Sequence, residues 1–145
     1  MNARELIEKS HRESVMRATR KKTIASRLAS SYPDVQHALN AGTPSEKMEV
    51  ATRIVLWAAS EAGLDRADIV VALSKRDPTL FDELCADMEE QQFKLFERGD
   101  ETHLVFFNKA RVYNASAWLA REVPHEAIYE SLFATEKALV IADFF

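Results

Sequence analysis

The sequence predicts an all-α fold, a single-domain bundle of six or seven helices, and three observations carry that expectation. Apolar residues recur at spacings of three and four, as on one face of a helix. The joints between such stretches are marked by proline, glycine or a capping side chain. The 145 residues include only three Gly and four Pro, too few for a sandwich or barrel, which needs a turn signal about every ten residues. With 47% apolar and 29% charged residues, the chain is far from the composition of disorder, and it is long enough to close a core without a staple.

The joints give the elements in order. Tyr32-Pro33-Asp34 ends a first, basic segment, and a short helix follows that stops at Ala41-Gly42. Thr43-Pro44-Ser45-Glu46 then joins an N-cap threonine, a proline at the first helical position and a glutamate placed to close a capping box. The helix that starts there runs to about Ala62, where Gly63 is a good stop. Asp65 and Asp68 open another that ends near Lys75, and Asp77-Pro78 repeats the cap-plus-proline start for a helix that reaches Arg98-Gly99. A further helix spans about Glu101 to Glu122, and Pro124 opens the last, expected through about Ala142.

Two of these helices read as central. Met48, Ala51, Val55, Ala58, Ala59 and Ala62 form one stripe, with Val50, Ile54 and Trp57 on the opposite side, and a helix apolar on two sides is sandwiched. After Thr102, the stripe Phe106, Ala110, Tyr113, Ala117 and Ala120 is poor in bulk and allows close helix approach, while Val112, Leu119, Phe107 and Trp118 face elsewhere. Val55, Ala58, Phe106, Tyr113, Ala117, Ile128 and Leu132 are the expected core. The polar residues of that second helix, Asn108, Arg111 and Asn114, therefore need partners, either as structural hydrogen bonding or as the lining of a small anion pocket.

The net charge of −4 hides an asymmetry. Residues 1–31 carry eight basic and three acidic side chains, net +5, and the other 114 carry 11 basic and 20 acidic, net −9. The chain thus reads as one domain over 1–145 with a basic helical arm, 1–31, and an acidic helical body, 32–145. Such a split marks an arm that meets an acidic partner, or an arm that folds onto its own body.

On the helix from Thr79 to Arg98, Phe81, Leu84, Cys85, Met88, Leu95 and Phe96 make the expected buried stripe, and Glu83, Asp87, Glu90 and Glu97 line the opposite face with Lys94 alone to dilute them. That face is either simply solvated or a docking face for a basic partner. Residues 17–40 have the outline of a helix-turn-helix, with Arg17, Arg20, Lys21, Lys22 and Arg27 as anion or nucleic-acid contacts. The would-be reading helix offers Asp34, Gln36, His37 and Asn40 but no Arg or Lys, and Asp34 meets a phosphate backbone with the wrong sign. Specific nucleic-acid binding is not expected.

Catalytic signatures are weaker. Asp100 precedes His103 and Glu122 precedes His125 by three residues, the spacing of helical di-metal sites. Both pairs fall at helix starts, so His125 and Glu126 are expected in a solvated first turn, and no metal or cofactor is expected. No phosphate loop, nucleotide-binding glycine motif or nucleophile setting is present in the sequence. The lone cysteine, Cys85, sits on an apolar stripe, where inert core thiols lie. With no apolar run of about 18 residues and no disulfide framework, the expected location is cytoplasmic, away from membranes. The expected function is non-catalytic protein–protein binding, as an inhibitor, immunity-type or regulatory partner, to a protein with a basic surface; self-association stays open. The alternatives are a small DNA-binding regulator using 17–40 and a small helical enzyme or metal-binding protein.

Overall fold

A computed structural model describes Ala3 and residues 26–145, and among the described residues every regular element is a helix and none is a strand. In order they are α1 (Arg27–Ser31), α2 (Pro33–Asn40), α3 (Pro44–Glu61), α4 (Arg66–Ser74), α5 (Pro78–Glu97), α6 (His103–Ala120), α7 (Pro124–Ser131) and α8 (Ile141–Phe144). The fold is the expected all-α bundle. Of the basic arm, Ala3 and residues 26–31, which include α1, are among the described residues, and the rest lies outside them.

Local chemistry explains most of the boundaries. Thr43 and Glu46 close the capping box that starts α3, while the Asp65 and Asp77 side chains accept from the backbone of Ala67 and Thr79 to start α4 and α5. Proline begins α2, α3, α5 and α7, where its missing N–H costs nothing. Gly63 and Gly99 take φ of 81° and 68° just past the ends of α3 and α5, a conformation that a side chain would strain.

Helix α3 occupies the centre. Ala51, Ile54, Val55, Ala58 and Ala59 are wholly buried, and α2, α4, α6, α7 and α8 all pack against it. The second half of α6 shares that core through Val112, Ala115, Trp118 and Leu119, and α7 adds Ala127 and Ile128. Helix α5 packs mainly on α6, so the two form a hairpin, with the second half of α6 as its root in the core.

Three expectations need correction. Of the expected core, Val55, Ala58, Ala117 and Ile128 are fully buried, Tyr113 and Leu132 are half-buried against it, and Phe106 is half-buried on the hairpin outside the main cluster. On α5, Phe81 and Cys85 are buried as expected, but Phe96 is 62% exposed because the apolar stripe outruns the body that would cover it. The last helix does not run from Pro124 to Ala142: α7 ends at Ser131 and a non-helical stretch leads to α8, giving eight helices among the described residues. The break buries Ala134 and returns Leu139, Ile141 and Phe144 to the core. Arg53 fixes that return by donating to the Asp143 and Phe144 carbonyl oxygens at 2.9 and 3.1 Å.

Candidate functional site

Two carboxylates on α7 organise the charged interior. Glu126 and Glu130 are four residues apart on one face and are 7% and 5% exposed. Arg27 of α1 donates through Nε to Glu126 Oε2 at 2.9 Å, through Nη2 to the same oxygen, and to Glu130 Oε1 at 3.0 Å. Its guanidinium also lies over the Tyr129 ring at 4.4 Å. Burial alone would lower the Arg27 pKa, but the bonds to Glu126 and Glu130 overcome this and raise it above its ordinary value.

Arg111 of α6 extends the network to the hairpin. It donates to Glu130 Oε2 at 3.1 Å and to Glu89 Oε1 on α5 at 2.7 Å, so Glu130 bridges Arg27 and Arg111. Its Nε is buried without an acceptor among the described residues. The partners of Arg111 are thus carboxylates rather than Asn108 and Asn114, which are half-buried on the same helix. A second strut, Arg121 to both oxygens of Asp82 at 3.2 and 2.6 Å, ties the root of α6 to the start of α5. Cys85 donates its thiol to Glu89 at 3.2 Å, and burial, reinforced by the Glu89 charge, pushes its pKa up to about 12. The thiolate is the reactive form, so Cys85 should resist a thiol reagent at pH 8 in the folded protein and react at the ordinary cysteine rate once urea unfolds it. Fast labelling of the native chain would contradict this burial.

The acidic residues of α5 stand where the helical spacing puts them. Glu83, Asp87, Glu90 and Glu97 are all exposed on the edge facing away from α6, and Glu90 pairs with Lys94 at 3.1 Å. Next to this edge the far end of the hairpin exposes Phe93 by 61%, Phe96 by 62%, Leu104 by 52% and Val105 by 45%.

Of the five cations expected to meet an anion, Arg17, Arg20, Lys21 and Lys22 lie outside the described residues, and Arg27 is held by Glu126 and Glu130. In the helix-turn-helix-like segment, α1 and α2 meet at Tyr32. Gln36 accepts from Ser26 Oγ at 2.5 Å and donates to Asn40 at 2.8 Å, so the two amides that the would-be reading helix offers are engaged with each other and with Ser26.

His125 and Glu126 do not sit in a solvated first turn, because Arg27, 99 residues away in sequence, draws Glu126 into the interior. The His125 side chain is 13% exposed, with Nε2 at 3.9 Å from Glu126 Oε1. It lines a cleft of about 490 Å³ among the end of α2 and the first turns of α3 and α7, with Gln36, Asn40, Lys47 and Met48. Burial lowers the His125 pKa below 6.5, with Glu126 opposing and Lys47 and Arg27 adding to the shift. A histidine with a depressed folded pKa takes up protons more readily in the unfolded chain. Its contribution is therefore fully present above the unfolded pKa of about 6.5 and is lost as pH falls through it toward the folded value. Urea midpoints between pH 8 and 5 should fall less for His125→Gln than for the parent chain.

Sequence reasoning missed Asp82, Glu89 and Glu130, and placed Glu126 in solvent. A faint signal existed: Glu126 and Glu130 share a face of a short helix next to apolar Ala127 and Ile128, while the basic arm had no assigned partners. Among the described residues no group of three or more His, Cys, Asp or Glu side chains is placed to hold a metal ion, and no helix is long and apolar enough to cross a membrane.

Fold and site together define an all-α bundle with a two-helix hairpin that is rooted in the core, braced by part-buried ion pairs and exposed at its end. Comparison of the chain with models of known families, with curated proteins and with solved structures gives no match.

Proposed function

We propose that the protein acts by binding another protein, as an inhibitor, immunity-type or regulatory partner, with the outer edge of α5 as the contact face and a basic surface as its complement. The observation that supports this reading is the placement of Glu83, Asp87, Glu90 and Glu97 on an exposed edge of a braced hairpin, beside large apolar side chains at its end. Exposed apolar side chains rimmed by charge are the composition of an interaction surface. Same-sign charges along one edge raise the rate of encounter with an opposite surface. The bracing matters because a held face loses little conformational entropy on binding.

The test starts from a partner captured by the native chain and then purified. A Glu83→Lys, Asp87→Lys, Glu90→Lys variant should keep its helical circular-dichroism spectrum, since exposed positions tolerate substitution within about 0.5 kcal/mol each. Its affinity for that partner should fall tenfold or more. Unchanged affinity, or unfolding of the variant, would end this reading.

A further inference from the structure

The cleft of about 490 Å³ beside His125 has an apolar floor and a polar rim. Leu39 and Val123 form the floor with 2% and 1% of their surface exposed, and half-buried Met48, whose unbranched side chain adapts to what it touches, joins them.

The rim is rich in donors. Ser26 Oγ accepts the Ala29 N–H at 3.1 Å and gives its own proton to Gln36 Oε1, and Gln36 Nε2 in turn donates to Asn40 Oδ1 at 2.8 Å. Both amide oxygens are engaged, so what the pair has left to offer is N–H, one on Gln36 and two on Asn40. Lys47 adds a half-buried ammonium group. Lys94 and Lys137 each hold a glutamate, whereas Lys47 has no carboxylate within ion-pair distance among the described residues, and its neighbour Glu46 is turned to Thr43. Among the described lining residues Glu122 is the one carboxylate, and it is exposed.

The charges that face His125 agree with this. Lys47 of α3 and Arg27 of α1 disfavour its protonation, while Glu126 of α7 favours it but spends Oε2 on Arg27. Helix α2 lines the cleft with Gln36, Leu39 and Asn40, none of them charged.

We infer that this cleft binds a small organic acid, one carboxylate on an apolar body, with the carboxylate meeting Lys47 and the spare N–H groups of α2 and the body lying on Leu39, Met48 and Val123. The apolar body follows from the floor, against which a bare anion would lose water without return. The single charge follows from Lys47 being the one permanent cation on the described lining. The inference does not rest on the partner reading: the cleft shares no residue with the acidic edge of α5, and its test uses no partner.

Hexanoate is the probe, with acetate, phosphate and hexanol as comparisons, followed through the amide chemical shifts of the full-length chain at pH 7. Hexanoate should move Asn40, Lys47, Val123 and His125 saturably, with a Kd on the order of 1 mM. Acetate, which lacks the longer apolar body, should bind about tenfold more weakly or worse, and so should phosphate and hexanol. Lys47→Met keeps a long, helix-favouring side chain, so it should preserve the circular-dichroism spectrum. It should weaken hexanoate by about fivefold. The His125 ring should titrate at higher pH in saturating hexanoate than without it, since a nearby anion favours the imidazolium, and hexanol should leave it in place. The inference is overturned if hexanol, acetate or phosphate matches hexanoate, if no saturable shift appears on the lining, or if the His125 titration stays put. It is also overturned if folded Lys47→Met binds hexanoate undiminished; should that variant fail to fold, the hexanol comparison and the His125 titration decide.

Discussion

Phe81→Ala is expected to lower the stability of the protein by about 3–5 kcal/mol, the largest effect of any single truncation on the hairpin. Phe81 is wholly buried in the first turn of α5, one residue before the Asp82 carboxylate that Arg121 holds. Truncation removes both the transfer free energy of the ring and the contacts lining the cavity that it leaves. The ring sits where α5 leaves the body, so the cavity would loosen the hairpin's root rather than its exposed end. Urea denaturation is the measurement, and a loss below about 1 kcal/mol would mean that α5 is not anchored there. Phe96→Ala, at a position 62% exposed, should by contrast fall within about 0.5 kcal/mol of the parent.

Glu130→Ala should cost about 2–3 kcal/mol. Breaking a buried ion pair from one side costs about 3–5 kcal/mol because the partner charge stays behind unpaired. Here the figure is discounted: the Arg27 side chain is 49% exposed and keeps Glu126, and Arg111 keeps Glu89. Glu130→Gln retains the shape and one acceptor oxygen and should cost less. The decisive variant pairs Glu130→Leu with Arg111→Met, which removes both charges from the interior. Its loss should be smaller than the sum of the two single losses by at least about 1 kcal/mol, the mark of residues that interact directly. Additive losses would show that Glu130 and Arg111 are not coupled.

The helices were legible where the chemistry is local. Thr43, Pro44 and Glu46 announce α3 within four residues, Asp77-Pro78 announces α5, and Gly63 and Gly99 mark stops that the structure confirms by their positive φ. The break after Ser131 was not legible, because no Gly or Pro lies between Pro124 and the end of the sequence. It goes with the burial of Ala134 and the packing of half-buried Phe144 against distant elements. The buried carboxylates were hidden for the same reason. An isolated Glu126 on a first helical turn reads as solvated, and only Arg27, far away in sequence, makes burial tolerable. Phe96 failed in the opposite direction: periodicity tells which face of a helix is apolar, but not how far along the helix the body extends to cover it. Of the candidate site, the acidic edge was visible from spacing alone, whereas Phe93 and Leu104 became notable only once the core was seen to stop short of them.

Helix α6 is uninterrupted from His103 to Ala120, about 27 Å of rod, and its two halves belong to different parts of the molecule. Ala115, Ser116 and Ala117 are clamped in the interior with no exposed surface, while Leu104 and Val105 stand in the open. A continuous α-helix is stiff on this length scale, so the hairpin end cannot swing as a loop would. It is a lever whose fulcrum is Arg111, held from one side by Glu89 and from the other by Glu130. A load applied at the open end is therefore transmitted to the alanine-lined seat of α6 on α3 and α7, and amide exchange at Val112–Leu119 should register it although nothing touches those residues.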